Sequence, residues 1–537
     1  MEEEKLSRRD FLKGTAALAG LTAVGSKIEL AANGGAMDRP NILFVMTDQQ
    51  RYDTIAELGN RLIATPNLDR LVRRGVTFTQ AYSSCPVCVP ARYTIRTGRE
   101  PFNTGFYGNE PPAVLADQPQ DMEERCGSFL GRVMTRLGYR TFGIGKFHAG
   151  YGGNLGYEKI LFSEELYGTP EDRRLDAYAA FIAKEHPEYD WMEQPMGERT
   201  EMYYMPQMSH LPAELGVEAW AADRAVEEIK KPDHRPYFGF VSFIGPHPPF
   251  APPQPFNRMY DPDRMPNPIG GDITLDHTDE QLPFMNYAIW AEAINDSHAR
   301  VLKARYYGEI SYIDQQIGRI LDAVEAGPVP GNTLICFFSD HGDHLGDHHS
   351  WQKESFFEAS CRVPFLVSWP HRFPRDVKRD ELVCLTDLFG LATSAARVPE
   401  FRDGIDLLGV LERKAGGRTC LFGYYGTPGT PHFKVMARDK EWKYIFVANG
   451  GREQLFNVAQ DPNELRQKLT NESAVADGLR KAALEALSVN RNAARALQGK
   501  SLKSFSYGAR PLQRVYQMDR SRGVFGFPQK PEDLLRG

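Results

Sequence analysis

The sequence predicts an α/β fold: a large, mostly parallel sheet sandwiched by helices, followed by a smaller C-terminal α+β domain built on a short antiparallel sheet. Two observations lead to this prediction. Up to about residue 405, short apolar runs alternate with segments of helical period. Beyond that point, short strand-like runs separated by turn residues replace the alternation.

The elements follow in chain order. The predicted strands of the large sheet are NILFVMT (41–47), VTFTQAY (76–82), RTFGIG (140–145), YFGFVSFIG (237–245) and TLICFFS (333–339). The predicted helices between them cover 65–75, 128–139, 218–231 and about 297–326. Residues 150–215 show no clear period and are interpreted as an insertion carrying loops. The C-terminal strands are TCLFGYYG, FKVMARD and WKYIFVANG, followed by the helix ADGLRKAALEALS. We therefore expect a larger domain over 37–405 and a smaller domain over 406–537.

Length and charge exclude several classes of protein. A chain of 537 residues can bury one sizeable core and a smaller one. Its formal net charge of −6 provides no basic field for nucleic acid. Apolar runs fall short of the roughly 18–20 residues that a transmembrane helix needs, so we expect no stable membrane insertion.

The N-terminus has the pattern of an export signal. SRRDFLK (7–13) precedes the weakly apolar stretch GTAALAGLTAVG, and small residues follow around Ala31 and Ala32. This order is typical of a twin-arginine signal, which carries folded proteins across a bacterial inner membrane. A basic amphipathic tail is the alternative. We predict a signal over residues 1–32, the twin-arginine translocase as a partner, and a periplasmic or secreted protein.

Four polar clusters stand at the ends of predicted strands. They are TDQQ (47–50), GKFHAG (145–150), GPHPPF (245–250) and SDHGDHLGDHH (339–349). Ligands of open α/β sheets bind beyond the carboxyl ends of the strands, so the clusters are expected to converge on one site.

A fifth motif, CVPAR, contains a cysteine of special interest. Pro90 suits the first turn of a helix, which would place Cys88 at a helix N-terminus with Arg92 one turn further on. Cys85 and Cys88 could also form a redox pair or half of a zinc site, but no second motif supports either. The seven cysteines are an odd, scattered set and do not resemble a disulfide framework.

These motifs together resemble the type I sulfatases of the alkaline-phosphatase-like superfamily. The family signature C-x-P-x-R followed by T-G-R is present as Cys88, Pro90, Arg92 and residues 97–99. The resemblance covers roughly residues 39–395, and EWKYIF…QLFNVAQDPNE resembles the small domain of the family. It implies that a formylglycine-generating enzyme oxidises Cys88 to formylglycine, whose hydrate attacks sulfur.

The resemblance also implies the other site residues. A single divalent metal would be held by Asp48, Gln49, Asp340, His341 and the modified Cys88. Gln49 replaces the usual second aspartate, and His341 replaces a frequent asparagine, as in phosphonate-hydrolase-like and choline-sulfatase-like members. Oxygen ligands favour Ca²⁺, and the histidine nitrogen makes Mn²⁺ the alternative. His344, His348 and His349 are left unassigned, as part of a solvated loop or a zinc cluster.

The catalytic residues implied by the match are Cys88, Arg92, Lys146, His148, His247 and Lys353. Protonated His247, with Lys353, would give a proton or charge stabilisation to the departing alcohol. His148 would take the proton of the remaining hydroxyl of the formylglycine hydrate. Arg92 and Lys146 would hold the hydrate and the sulfate oxygens. A dication and three cationic side chains give five positive charges against two carboxylates, which suits an anionic substrate.

The predicted function is hydrolysis of a sulfate monoester, carried by a sulfated small molecule or glycan, to an alcohol and sulfate. A phosphonate or phosphate ester hydrolase using the same formylglycine is the first alternative. A two-zinc phosphatase with a hydroxyl nucleophile and a carbohydrate-binding protein with a decayed site are the others. The sequence does not identify the substrate.

Overall fold

In the computed structural model, the chain folds around an eight-stranded sheet and a separate four-stranded sheet. The structure describes residues 39–109, 122–151, 153–165, 170–190, 204–271, 279, 281 and 294–509. The strands of the large sheet are β1 (Asn41–Thr47), β2 (Val76–Tyr82), β3 (Arg140–Gly145), β4 (Lys159–Phe162), β5 (Tyr237–Ser242), β6 (Thr333–Ser339), β7 (Phe365–Ser368) and β8 (Val377–Cys384). The small sheet contains β9 (Leu421–Tyr425), β10 (Lys434–Arg438), β11 (Trp442–Val447) and β12 (Arg452–Asn457). A two-residue pair, β13 (Leu497–Gln498) and β14 (Ser501–Leu502), follows.

The large sheet is mostly parallel, as predicted. Its order is β4-β3-β5-β1-β6-β7-β2-β8, with antiparallel pairing of β7 to both of its neighbours and parallel pairing elsewhere. The small sheet has the order β12-β11-β10-β9 and is antiparallel throughout. The predicted fold class is therefore confirmed.

The α-helices that the structure describes surround these sheets. They are α1 (Pro66–Arg74), α2 (Cys88–Thr97), α3 (Pro101–Thr104), α4 (Met122–Cys126), α5 (Leu130–Arg136), α6 (Pro170–Leu175), α7 (Ala177–Glu185), α8 (Val217–Lys230), α9 (Asp296–Glu325), α10 (Glu358–Cys361), α11 (Asp387–Ala395), α12 (Leu407–Leu411) and α13 (Ser473–Ser488). The helices predicted at 65–75, 128–139, 218–231 and about 297–326 correspond to α1, α5, α8 and α9. None of the described helices is both long and apolar enough to cross a bilayer.

Central strand β1 is buried on both faces. Ile42, Phe44 and Met46 point into one apolar cluster, and Leu43 and Val45 point into the other. A strand that packs against apolar side chains on both faces has a continuous apolar sequence rather than an alternating one. NILFVMT is such a sequence. Strand β1 pairs with β5 and β6 along nearly its whole length. Burial of its faces fixes the register of this pairing, because a shift by one residue would exchange the side chains of the two faces.

The segment 150–215 differs from its prediction as a set of loops. Among its described residues, β4 pairs in parallel with β3 at the edge of the large sheet, and α6 and α7 follow. The four-residue strand is too short to produce a periodic signal. Its position matters because the residues after it reach the carboxyl edge of the sheet.

A buried ionic cluster connects the small sheet to the large one. The Lys443 Nζ on β11 lies 2.7 Å from a carboxylate oxygen of Glu358 on α10 and 2.8 Å from one of Glu464. Tyr82, the last residue of β2, donates from its hydroxyl to Glu358 at 3.0 Å. Buried charges paired in this way favour one relative orientation of the elements that contribute them.

Candidate active site

The carboxyl edge of the large sheet brings together the candidate catalytic and metal-binding residues. Asp48 and Gln49 follow β1, Lys146 and His148 follow β3, His247 lies beyond β5, and Asp340 and His341 follow β6. Cys88 and Arg92 come from the first turns of α2, and Lys353 from the loop after β6. All of these side chains are buried except His148, which is a quarter exposed.

Cys88 is the first residue of α2, as predicted. Val87 before it is extended, with φ −157° and ψ 148°. The Cys88 Sγ lies 3.2 Å from the His341 Nε2 and 3.8 Å from Asp48 Oδ1. Burial and the nearby Asp48 charge raise the pKa of the Cys88 thiol to about 12. Burial at this position therefore disfavours the thiolate, the reactive form of cysteine.

The two aspartates share one arginine. The Arg92 Nη2 donates to Asp48 at 2.8 Å, and its Nε donates to Asp340 at 3.1 Å. The Lys146 Nζ lies a further 2.6 Å from Asp48. Burial alone would raise the pKa of Asp48, but Lys146 and Arg92 outweigh it and hold that pKa well below its ordinary value. Burial and the charge of Asp48 raise the pKa of Asp340 to about 7.

The tautomer of His341 follows from its hydrogen bond. Its Nδ1 lies 3.0 Å from the Gly342 carbonyl oxygen, which can only accept, so Nδ1 carries the proton. The Nε2 lone pair then faces Asp340 at 3.6 Å and Asp48 at 3.8 Å. Burial lowers the pKa of His341 well below its usual value, so the ring is neutral.

This donor set fits a divalent cation. One ligand atom from each of Asp48, Cys88, Asp340 and His341 lies within 4.8 Å of the others. Two carboxylates and an imidazole lone pair converge, and the repulsion between the carboxylates is what a dication would relieve. The pair of carboxylate oxygens with one histidine nitrogen suits hard or borderline ions such as Ca²⁺ or Mn²⁺.

The Gln49 side chain connects the aspartate pair to Lys353. Its Oε1 accepts a hydrogen bond from the Lys353 Nζ at 2.5 Å, and its Nε2 donates to Asp343. Its backbone N–H donates to Asp340 at 3.1 Å. The amide oxygen therefore has one lone pair engaged by Lys353, and the predicted role of Gln49 as a metal ligand remains a prediction.

His247 differs from its predicted state. Its Nδ1 donates to the Pro248 carbonyl at 2.7 Å, so its Nε2 bears the lone pair and accepts from the Lys353 Nζ at 3.1 Å. Burial lowers the pKa of His247 well below its usual value, and Lys353 adds to the effect against the opposing charge of Glu165. The ring is therefore neutral rather than protonated, and the proton between these two residues belongs to Lys353.

A glycine turn positions Lys146. Gly145 has φ +104°, and a Cβ there would come within 1.9 Å of the Ser242 carbonyl oxygen. The Lys146 backbone N–H donates to that oxygen at 3.0 Å. Because only glycine fits this approach, β3 can turn sharply and direct the lysine toward Asp48.

Glu165 is the main site residue that the sequence analysis missed. One of its carboxylate oxygens lies 2.5 Å from the Lys146 Nζ and 3.4 Å from the His247 Nε2, and the other lies 3.7 Å from the His148 Nε2. The only available signal was an acidic pair following the short apolar run KILF. With a dication counted as before, the expected balance of five positive charges against two carboxylates becomes five against three.

His148 provides a neutral ring at the more exposed end of the site. Burial, followed by the charge of Lys146, lowers its pKa to about 3. Its backbone N–H donates to Glu164 at 2.9 Å, and its φ of +53° turns the chain away from β3. A neutral imidazole is the form that can accept a proton.

The other histidines of the loop after β6 have structural contacts. The His344 Nε2 lies 2.8 Å from the Ser355 hydroxyl, and the His348 ring stacks on Phe357 with centroids 4.0 Å apart. The His349 Nε2 lies 3.1 Å from the Gly271 carbonyl. All seven cysteines are free thiols, and Cys85 and Cys88 form no disulfide. Neither the zinc-cluster nor the redox-pair interpretation is supported by this arrangement.

A mostly parallel sheet whose carboxyl edge has a cluster that could hold a cation, beside three cationic side chains, suits an enzyme that acts on anionic esters. The family model described as Sulfatase matches residues 40–397, which is most of the chain. The chain belongs to the sulfatase family and is a sulfuric ester hydrolase. A second model, N-sulphoglucosamine sulphohydrolase, C-terminal, matches residues 346–490.

Individual proteins agree with the family match. An arylsulfatase from Clostridium perfringens is 28% identical over 81% of this chain and 91% of its own length. A choline-sulfatase from Rhizobium meliloti is 27% identical over 81% of this chain and 83% of its own length. The crystal structure of phosphonate monoester hydrolase from Agrobacterium radiobacter has the same fold, with a TM-score of 0.68, 24% identity, and coverage of 84% of this chain and 96% of that one.

The export signal is also confirmed. Residues 5–25 match the model of the twin-arginine translocation pathway signal sequence. They lie outside the residues that the structure describes. The chain is therefore directed by twin-arginine export to the periplasm or beyond.

Proposed function

We propose that the chain is a formylglycine-dependent sulfatase, which hydrolyses a sulfate monoester of a carbohydrate or aryl alcohol with one divalent metal, Ca²⁺ in preference to Mn²⁺. The observation that carries the proposal is the position of Cys88. Its side chain lies at the N-terminus of α2, in contact with both Asp48 and His341. An aldehyde hydrate at residue 88 would supply a hydroxyl nucleophile beside the residues that could hold a metal.

The metal would be held by Asp48, Asp340 and His341, with Gln49 and the modified residue 88 completing the set. When bound, it supplies Lewis-acid polarisation of the sulfate and favours ionisation of a neighbouring hydroxyl. A formylglycine hydrate at residue 88 would supply two hydroxyls: one to attack sulfur as the bond from sulfur to the ester alcohol breaks, and one to give up its proton as sulfate leaves and the aldehyde re-forms.

The remaining residues bind charge and move protons. Arg92 and Lys146 hold anionic oxygens and also neutralise the aspartates; their contacts with Asp48 support the second of these roles. Lys353 donates a proton or a charged hydrogen bond to the departing alcohol, and His247 orients it through the 3.1 Å contact. Neutral His148 accepts the proton of the remaining hydroxyl.

Maturation involves two partners in this proposal. A formylglycine-generating enzyme oxidises Cys88 in the cytosol, and the twin-arginine translocase then exports the modified chain. The signal over residues 5–25 supports this order, because the pathway accepts proteins that are already folded.

The proposal is tested by parallel assays with 4-nitrophenyl sulfate, a phosphonate monoester and a phosphate diester of the same alcohol. We expect the highest kcat/KM on the sulfate. A higher kcat/KM on the phosphonate would replace the proposal with its alternative, which Gln49 and His341 and the fold shared with a phosphonate monoester hydrolase keep open.

Lys353 provides a separate prediction about the leaving group. We expect Lys353→Ala to lower kcat/KM by about 10²-fold or more for alkyl sulfates, whose alcohols need a proton, and far less for 4-nitrophenyl sulfate. The measurement is kcat/KM against the pKa of the leaving alcohol. An equal loss across the series would contradict the assignment of Lys353 as proton donor.

A further inference from the structure

Glu165 occupies a position that the proposed chemistry does not use. Its side chain is only 7% exposed, and its two carboxylate oxygens reach Lys146, His247 and His148. It also follows β4, the edge strand, whereas the other site residues on the sheet follow β1, β3, β5 and β6. A single anionic side chain thus joins three groups that surround the substrate sulfate in the proposed function.

The charged groups around Glu165 explain why an anionic side chain is favourable at this position. Arg92, Lys146 and Lys353 provide three positive charges, and Asp48 and Asp340 provide two negative ones. Together with a dication, this set has a net charge of about +3 before Glu165 is counted and about +2 with it.

The net charge of the site matters because the substrate and the product carry different charges. A sulfate monoester carries one negative charge, whereas the released sulfate ion carries two at neutral pH. An electropositive site therefore binds the product more tightly than the substrate, and each extra positive charge increases the imbalance. Without a compensating anion, release of sulfate would limit turnover.

We infer that Glu165 is a positioning residue with two effects: it anchors the ammonium group of Lys146, and it weakens binding of the sulfate product so that the product can leave. The inference rests on the proposed function. It predicts an unusual combination, in which removing the Glu165 charge tightens sulfate binding while slowing turnover. A residue with a purely structural role would weaken both.

The test compares Glu165→Gln with the wild-type enzyme. We expect the inhibition constant of inorganic sulfate to fall by at least about tenfold, because one negative charge leaves a poorly screened site. We expect kcat to fall by about tenfold or more, because the amide no longer anchors the ammonium group of Lys146 and sulfate leaves slowly. Binding of inorganic sulfate is also measured directly by calorimetry, which requires no turnover.

Two further variants make the result specific. Glu165→Asp keeps the charge and should retain sulfate affinity near the wild-type value, with an intermediate kcat. Glu228→Gln is the matched control, since Glu228 is a buried carboxylate that pairs with Arg140 and Lys159 near the other ends of β3 and β4. It should lower the thermal midpoint and leave sulfate affinity unchanged.

Sulfate binding to Glu165→Gln that is unchanged or weaker would overturn the inference. The same conclusion would follow if Glu165→Asp tightened sulfate binding as much as the glutamine variant. Should the wild-type enzyme fail to cleave sulfate esters while calorimetry still shows tighter binding to Glu165→Gln, the proposed function fails and the electrostatic role of Glu165 stands.

Discussion

Replacing Cys88 with alanine is expected to reduce sulfate-ester hydrolysis by at least about 10³-fold, because the nucleophile is removed while the rest of the site remains. Alanine is smaller than cysteine and suits the first turn of a helix, so α2 should still form. The measurement is the initial rate on 4-nitrophenyl sulfate, together with the thermal midpoint of the variant.

Cys85→Ala is the matched control for that variant. Cys85 is equally buried and lies three residues earlier, but it packs in an apolar cluster with Val87 and Phe356. We expect it to lose about 1 kcal/mol of stability and to keep its activity. Full activity in Cys88→Ala, or equal losses in the two variants, would contradict a nucleophile at position 88.

Removing the metal is expected to have the second-largest effect. After dialysis against a chelator, activity should fall by at least about 100-fold and return on addition of Ca²⁺, or of Mn²⁺ if the nitrogen of His341 dominates the preference. Asp340→Asn should produce a similar loss with no chelator, because it removes one of the two carboxylates that would hold the cation. The measurements are activity against free metal concentration and elemental analysis of the purified protein.

Asp314→Asn is the control for Asp340→Asn, because it also removes a buried negative charge but lies outside the candidate metal site. Asp314 is a buried carboxylate on α9 that accepts hydrogen bonds from the backbone N–H groups of Asn67 and Leu68. The variant should be less stable but should respond to metal like the wild-type enzyme. Activity that survives complete removal of metal would exclude the proposed role of the aspartate pair.

Much of the fold could be predicted because the strands next to the site are buried on both faces. NILFVMT and TLICFFS are continuous apolar runs that end at an acidic residue, so each showed both a strand and the position of a carboxylate. The start of α2 at Cys88 could likewise be predicted from Pro90, because proline is favoured in the first turn.

Other features depend on tertiary contacts that no local pattern encodes. Strand β4 has only four residues, and the Glu165 that follows it acquires its role from Lys146, nineteen positions earlier. The neutral state of His247 depends on the direction of the Pro248 carbonyl and on the proximity of Lys353. The motifs predicted that His247 and Lys353 would meet, whereas the directions of their hydrogen bonds decide which of the two carries the proton.

The central claim is that residue 88 is an aldehyde in the active enzyme, and peptide mass spectrometry tests it most directly. The protein is purified from cells that contain a formylglycine-generating enzyme, digested, and the peptide containing residue 88 is sequenced by fragmentation. We predict a residue about 18 Da lighter than cysteine at that position, as conversion of a thiol-bearing carbon to an aldehyde requires. A fully active preparation in which that peptide contains only unmodified cysteine would contradict the account.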